Sequence, residues 1–128
     1  MIVADSDVLI DALRGREPAR SRVLLEISGG GLATTAVSAF ELLSGARTSG
    51  EQKKVEALLA SMRLLPLDES ASRAAAAVYR DLARRGEPIG SADCLIAGIC
   101  LAHDAVLLTR NREHFGRVPD LRLGTLTL

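Results

Sequence analysis

Asp5, Glu41 and Asp93 are carboxylates out of character with their surroundings. Asp5 ends the apolar opening MIVA, where a buried strand should be finishing. Glu41 is the only charge between Thr34 and Arg47, and Ser38, Ser44 and Gly45 at i−3, i+3 and i+4 leave room beside its carboxylate. Asp93 opens a run with no further charge as far as His103, with Ile96, Ala97 and Cys100 on its side. Carboxylates buried without partners are costly, and several held together raise one another's pKa unless a cation intervenes. Lys53 and Lys54 are the only lysines, which leaves arginine or a bound divalent metal to supply the charge. Oxygen ligands from dispersed segments suit Mg²⁺ or Mn²⁺ and do not suit zinc.

Each acid also has an ordinary reading. Asp7 fits a helix cap or first-turn acid, Asp93 a first-turn partner of the helix dipole, and Glu41 a surface glutamate on an apolar helix. Asp11 is expected to be solvated, His103 to lie on the surface near a helix end, and His114 to lie in a loop. The arginines at positions 14, 16, 20 and 22 read as a solvated face.

The elements that must position these residues alternate. Ile2 to Ala4 reads as a buried strand, followed by a helical segment through Leu13. EPARSRVLLEI is a second helix, LATT a strand, and AVSAFELLSGA a helix that Thr35 can cap. Val55, Leu58, Leu59 and Met62 recur at i, i+3, i+4 and i+7, which makes a helix face. LLPL carries a proline and is at most an edge strand. After Asp68, Ala71, Ala74, Ala75, Val78, Tyr79 and Leu82 form the apolar stripe of a long helix that ends at RRGEP. Ser91 is expected to cap the next helix, which runs to His103 and is buried on most sides. AVLLT is a central-strand run, and LRLGTLTL supplies a final edge strand. This order predicts an α/β layered domain with a mainly parallel sheet. Ligands of such sheets sit beyond the carboxyl ends of the strands. Asp5 opens that edge, and so do Thr109, Arg110 and Asn111 after the AVLL strand.

Composition narrows the partners. The 128 residues are 48% apolar and 25% charged, as in an ordinary globular domain. Sixteen acids balance sixteen bases, so a polyanion would have to be held by local charge. Phe40, Tyr79 and Phe115 are the only aromatics, too few for a base-stacking platform. Cys94 and Cys100 are six apart in one helix and form no CxxC site. The longest uncharged apolar run, CLIAGICLA, is about half of what a membrane span needs, and the chain reads as cytoplasmic.

Taken in order, IVADSDVLI, TAVSAFELLSGA and PIGSADCLIAGICLAHDAVLLTRNREHF resemble the PIN domain. The closer similarity is to the toxin components of VapBC-type toxin–antitoxin pairs, and it spans nearly the whole chain. The resemblance implies one PIN-like domain over residues 1–128, a three-layer α/β/α sandwich with a central, mainly parallel sheet. It also implies an acidic pocket for Mg²⁺ or Mn²⁺, endoribonuclease activity on RNA, and inhibition by a small antitoxin protein. Toxins of this kind pair as homodimers and form a larger complex with the antitoxin. Residue by residue, the match places the catalytic and metal-binding acids at Asp5, Glu41 and Asp93. Ser6 sits where a small hydroxylated residue is usual, and Asp7 where Asn, Ser or Thr is usual. A fourth acid often stands two residues beyond the strand-end threonine, or just before the phenylalanine. Here those places hold Asn111 and His114, with Glu113 beside them. Asn111 can coordinate through its carbonyl oxygen but brings no charge, and Asp7 is the acid that could compensate. Ser6, Thr109, Arg110 and Arg112 are the candidate substrate contacts.

The chemistry this implies is hydrolysis of a phosphodiester by a metal-activated water. The metal reverses the pocket's field, which otherwise repels the anionic substrate. Water attacks in place of the 2′-hydroxyl, so the expected ends are 5′-phosphate and 3′-hydroxyl. A non-enzymatic alternative is a catalytically weak PIN-fold protein that binds RNA or antitoxin without cleavage. A haloacid-dehalogenase phosphatase also starts with a strand and DxD, Asp5 then being the nucleophile and Asp7 the general acid. That family has Gly and Thr after the second aspartate and an essential later lysine. Here Val8 and Leu9 follow Asp7, and both lysines lie together in a polar helix. A receiver domain fails for the same want of a lysine.

Overall fold

A computed structural model describes residues 1–128. Five strands form one sheet in the order β3-β2-β1-β4-β5. They are β1 (Ile2–Ala4), β2 (Leu32–Thr35), β3 (Arg63–Leu65), β4 (Val106–Leu108) and β5 (Arg122–Leu123). Every pairing is parallel, and Ala4 lies opposite Leu108 across the central pair. LLPL and LRLGTLTL supply the two edges, as their proline and turn residues require.

Alternation along the strands decides which helices pack where. Val3, Ala33 and Leu107 face one core, which they share with α5 (Glu69–Arg84), α6 (Ser91–Ala102) and α7 (Arg112–Phe115). Ala4, Leu32 and Leu108 face the other, against α1 (Ser6–Leu13), α2 (Ala19–Ser28), α3 (Ala36–Gly45) and α4 (Ser49–Ala60). The result is the expected three-layer α/β/α sandwich. No helix is long and apolar enough to cross a membrane.

Four local expectations need correction. The cap of α6 is Gly90, in extended conformation and with no side-chain cap bond, and Ser91 is already the first helical residue. Tyr79 belongs to the α5 stripe by spacing, yet it is 54% exposed. The seam between α5 and α6 is narrower than that stripe. A Cβ on Gly98 would stand 2.5 Å from Ala71 O and 2.6 Å from Ala75 Cβ, so the two helices approach most closely along the alanine edge of α5, while Val78 and Leu82 fill the core and Tyr79 is left outside. Met62 lies past the end of α4 at Ala60, so the helix face from Val55 stops at Leu59. His114 is not in a loop but in the short helix α7.

Chain connections run from β1 to β2 on one side and return to β4 on the other. The crevice where they diverge opens between the carboxyl ends of β1 and β4.

Candidate active site

Asp5 is held by the sheet itself. The β1–β4 ladder runs one residue beyond the strand, Asp5 N donating to Leu108 O at 2.9 Å. The extended backbone at Asp5 (φ −74, ψ 159) makes it the N-cap of α1, and its Oδ1 accepts from Ser6 N at 2.8 Å. Thr109, one residue past β4, donates from Oγ1 to Asp5 Oδ2 at 2.8 Å. At 6% exposure the side chain is nearly out of water. Burial pushes the carboxyl up to about 6, helped by the Asp7 charge and more weakly by Glu41, against the hydrogen bonds from Thr109 and Ser6.

Asp7 and Asp11 lie one turn apart on the same side of α1. Burial also raises Asp7, opposed by hydrogen bonds from the Arg110 and Val8 backbone and by the Arg110 guanidinium. Its Oδ2 accepts from Arg110 N at 3.1 Å, while its Oδ1 is buried without a partner. Asp11 is not solvated: it is 8% exposed, because Arg110 Nε stands 3.3 Å from its Oδ2 and Arg16 is 3.8 Å from Oδ1. Arg110 is therefore paired to two acids at the rim of the crevice. Arg112 is turned away, its Nη1 donating to Gly124 O at 2.8 Å.

Glu41 reaches the same edge from α3. Ser6, the first residue of α1, donates from Oγ to Glu41 Oε1 at 3.0 Å. Beside Glu41 a groove of about 410 Å³ runs between α1, α3 and α4 over Ile10, Leu13, Leu42 and Val55.

Asp93 comes in from the first turn of α6 on the far side of the crevice. Its Oδ2 lies 3.5 Å from Asn111 Nδ2 and 3.3 Å from His114 Nδ1, and those two nitrogens are 3.0 Å apart. Asn111 N in turn donates to Thr109 Oγ1 at 3.0 Å. A continuous path of polar contacts thus joins Asp5 to Asp93 through Thr109 and Asn111, and another joins Asp5's neighbour Ser6 to Glu41. His114 is the contributor that residue-by-residue reading missed. The signal was its i, i+3 spacing from Asn111, which puts both on one side of a helical turn.

No three carboxylate, histidine or cysteine side chains close into a ready metal cluster. The donors nevertheless fit a hard divalent cation in kind: oxygens dominate, Asp7 Oδ1 is an orphaned buried acceptor, and Asp5 is raised by burial and then by the charges of Asp7 and Glu41. Burial, then the Asp5 charge, push the Cys100 thiol up to about 12. Burial likewise raises Cys94.

A parallel α/β sheet that gathers acids from β1, α3 and α6 at its switch point defines the class of the PIN domain. The PIN domain family model matches residues 2–121, and the chain belongs to that family. Within it the chain is VapC-like. It is 40% identical over 122 residues to Ribonuclease VapC10 of Mycobacterium tuberculosis, across 95% of this chain and 91% of that protein. Among solved structures it resembles VapBC2 from Rickettsia felis bound to a promoter DNA fragment, with TM-score 0.88 and 22% identity over 97% of this chain and 98% of that one. It also resembles DNA-bound VapBC from Salmonella typhimurium, with TM-score 0.85 and 25% identity over 98% and 97% of the two chains.

Proposed function

We propose that this protein is the toxin of a type II toxin–antitoxin pair, a metal-dependent endoribonuclease that leaves 5′-phosphate and 3′-hydroxyl ends. The observation that carries the proposal is the crevice itself, where Asp5 is buried among Asp7 and Glu41 and linked through Thr109 and Asn111 to Asp93. A lone buried acid could be structural. Several acids converging from three elements, one raised to about 6 by burial and then by its neighbours' charge, favour a positive guest.

Mg²⁺ or Mn²⁺, when bound, supplies the charge that lets an anionic phosphodiester enter and the Lewis acidity that activates water. Asp5 and Asp93 would hold it, with Asp7 and Asn111 as further oxygen donors. Thr109 fixes the rotamer of Asp5. Glu41, tethered by the Ser6 hydroxyl, would accept the proton of the attacking water. Arg110 at the rim is the cation available to a phosphate oxygen, while Arg112 would have to leave Gly124 to take part.

An antitoxin partner is supported by the likeness to VapBC from Salmonella typhimurium. The groove over Ile10, Leu13, Leu42 and Val55 offers an apolar floor for a segment of such a protein. A homodimer joined to antitoxin in a larger cytoplasmic complex belongs to the same proposal.

The test is cleavage of end-labelled total cellular RNA by purified protein with Mn²⁺, with Mg²⁺ and with chelator, beside Asp93→Asn. Discrete metal-dependent cuts, absent from the variant, are expected. Folded, antitoxin-free protein that cuts nothing in the pool under any metal would favour the binding-only PIN protein instead.

A further inference from the structure

We propose that His114 is a nitrogen ligand on the Asp93 side of the pocket, so that this protein selects a transition-metal ion, Mn²⁺ over Mg²⁺. The proposal rests on the acidic crevice being a metal site, and it concerns which donors complete that site in this chain.

Asp93 Oδ2, Asn111 Nδ2 and His114 Nδ1 lie in mutual contact, with separations of 3.5, 3.3 and 3.0 Å. A carboxylate oxygen only accepts. The ring nitrogen either donates or accepts, and the amide presents either its NH₂ or its oxygen. Three atoms of two kinds, each touching the other two, always leave one like pair. With Nδ1 protonated, it meets the Asn111 NH₂ donor to donor. With Nδ1 bare, it meets the Asp93 oxygen lone pair to lone pair. With the amide turned over, its oxygen meets the carboxylate. No choice of tautomer and rotamer pairs all three contacts at once.

One arrangement turns the conflict into a site. If Asn111 presents Oδ1 and His114 carries its proton on Nε2, three acceptors face one point and a cation satisfies them all. The separations of 3.0 to 3.5 Å are those of neighbouring ligands about 2 Å from a shared ion. Turning the amide over breaks no hydrogen bond outside the triangle, because Asn111 Oδ1 makes none. His114 is 42% exposed on its side chain, so Nε2–H can be left to water.

A second, independent observation concerns the backbone. Asn111 is the N-cap residue of α7, a position where asparagine normally bonds to a free helix N–H. Its side chain makes no such bond and is turned to Asp93 instead. Its natural local role has been given up for the triangle.

The donor set decides the metal. Mg²⁺ demands oxygen ligands and gives up water reluctantly, whereas imidazole suits first-row transition ions. The family position that usually adds a carboxylate here adds a neutral nitrogen, which favours Mn²⁺ without the extra charge that Mg²⁺ would need.

The experiment uses tag-free, metal-stripped protein, with Mn²⁺ and Mg²⁺ as probes. Mn²⁺ binding is followed by loss of the free-ion EPR signal, Mg²⁺ by competition, and ligation by pulsed-EPR coupling to ¹⁴N. The chain has only two histidines, and His103 at the other end of α6 is about 15 Å away along the helix. Expected are a ¹⁴N coupling that His114→Ala abolishes and a loss in Mn²⁺ affinity on the order of tenfold or more. Mg²⁺ affinity should be unchanged in that variant, and His114→Asp should close the gap between the two ions. Bound Mn²⁺ without nitrogen coupling, or an unchanged ion preference in His114→Ala, overturns the proposal. If Asp93→Asn abolishes binding in that case, the acidic pocket still stands as the metal site. If Asp93→Asn binds like wild type, or wild type binds neither ion, the pocket reading beneath it fails as well.

Discussion

Asp5 and Asp93 face one crevice from opposite sides, yet one is fully committed and the other contested. Both oxygens of Asp5 have donors at 2.8 Å, and its backbone N–H extends the sheet. Asp93 has one oxygen in a triangle of long contacts, on a helix whose N-cap makes no side-chain bond. The difference follows from position. Asp5 ends the central strand, where the ladder and the helix that follows leave it one conformation. Asp93 rides in the first turn of α6 and is only as fixed as α6 is. If the pocket takes the cation proposed above, this division would place a rigid side at Asp5 and a looser side at Asp93 around it.

The largest expected effect breaks that comparison at its rigid side. Asp5 sits near 6 when folded against an ordinary value of 3.8, so between those values the folded protein holds a proton that the unfolded chain has released. Stability of metal-free protein should fall as pH rises from about 4 to about 6, by about 3 kcal/mol from this group. Asp7, also raised by burial, adds in the same direction. Asp5→Asn keeps an acceptor for the cap, removes the charge, and should flatten this part of the profile. Urea denaturation across pH 4 to 7 in chelator compares the two proteins. Equal slopes would mean that Asp5 is not strained.

Next in size is a change that displaces the loose side alone. Gly98 lets α6 press onto α5, where an added Cβ would meet Ala71 O at 2.5 Å and the Ala75 backbone N at 2.6 Å. Gly98→Ala must push the helices apart, and overpacking of this kind costs roughly 1–3 kcal/mol. Because the clash is with backbone atoms the cost lies at the upper end, and better helix propensity returns up to about 1 kcal/mol, so a net loss of about 2 kcal/mol is expected. Asp93 moves with α6 while Asp5 does not. The variant should therefore lose RNA cleavage beyond its loss in folded fraction, yet keep the wild-type slope between pH 4 and 6.

The same division governed what could be read from the chain. β1 and β4 were legible because unbroken apolar runs end at Asp5 and Thr109. Isolation among apolar neighbours marked Glu41 and Asp93, since a lone acid there has few structural uses. What stayed hidden depended on partners far along the chain. Asp11 looked solvated because Arg110, which lets it be buried, comes from the opposite end of the sequence. His114 looked like a loop residue because α7 is too short to show periodicity and Asp93 belongs to another helix. The α6 cap was misplaced because Gly90 provides the extended geometry without any side-chain signal.

Thr109 joins the two sides, and removing its hydroxyl should produce the smallest and most specific change. Its Oγ1 donates to Asp5 Oδ2 and accepts from Asn111 N at 3.0 Å, and the residue is 1% exposed. Thr109→Val keeps the shape and deletes both bonds. A hydrogen bond to a charged group contributes about 1.5 kcal/mol at the lower end, which is the loss expected at pH 7. That bond holds the Asp5 carboxyl down, so without it folded Asp5 keeps its proton to higher pH while the unfolded chain is unchanged. The loss should shrink near pH 4, where folded Asp5 is neutral in both proteins. Denaturation of both proteins at pH 4 and pH 7 gives the difference directly. A loss that is the same at the two pH values would make Thr109 a packing residue and separate the two sides of the pocket.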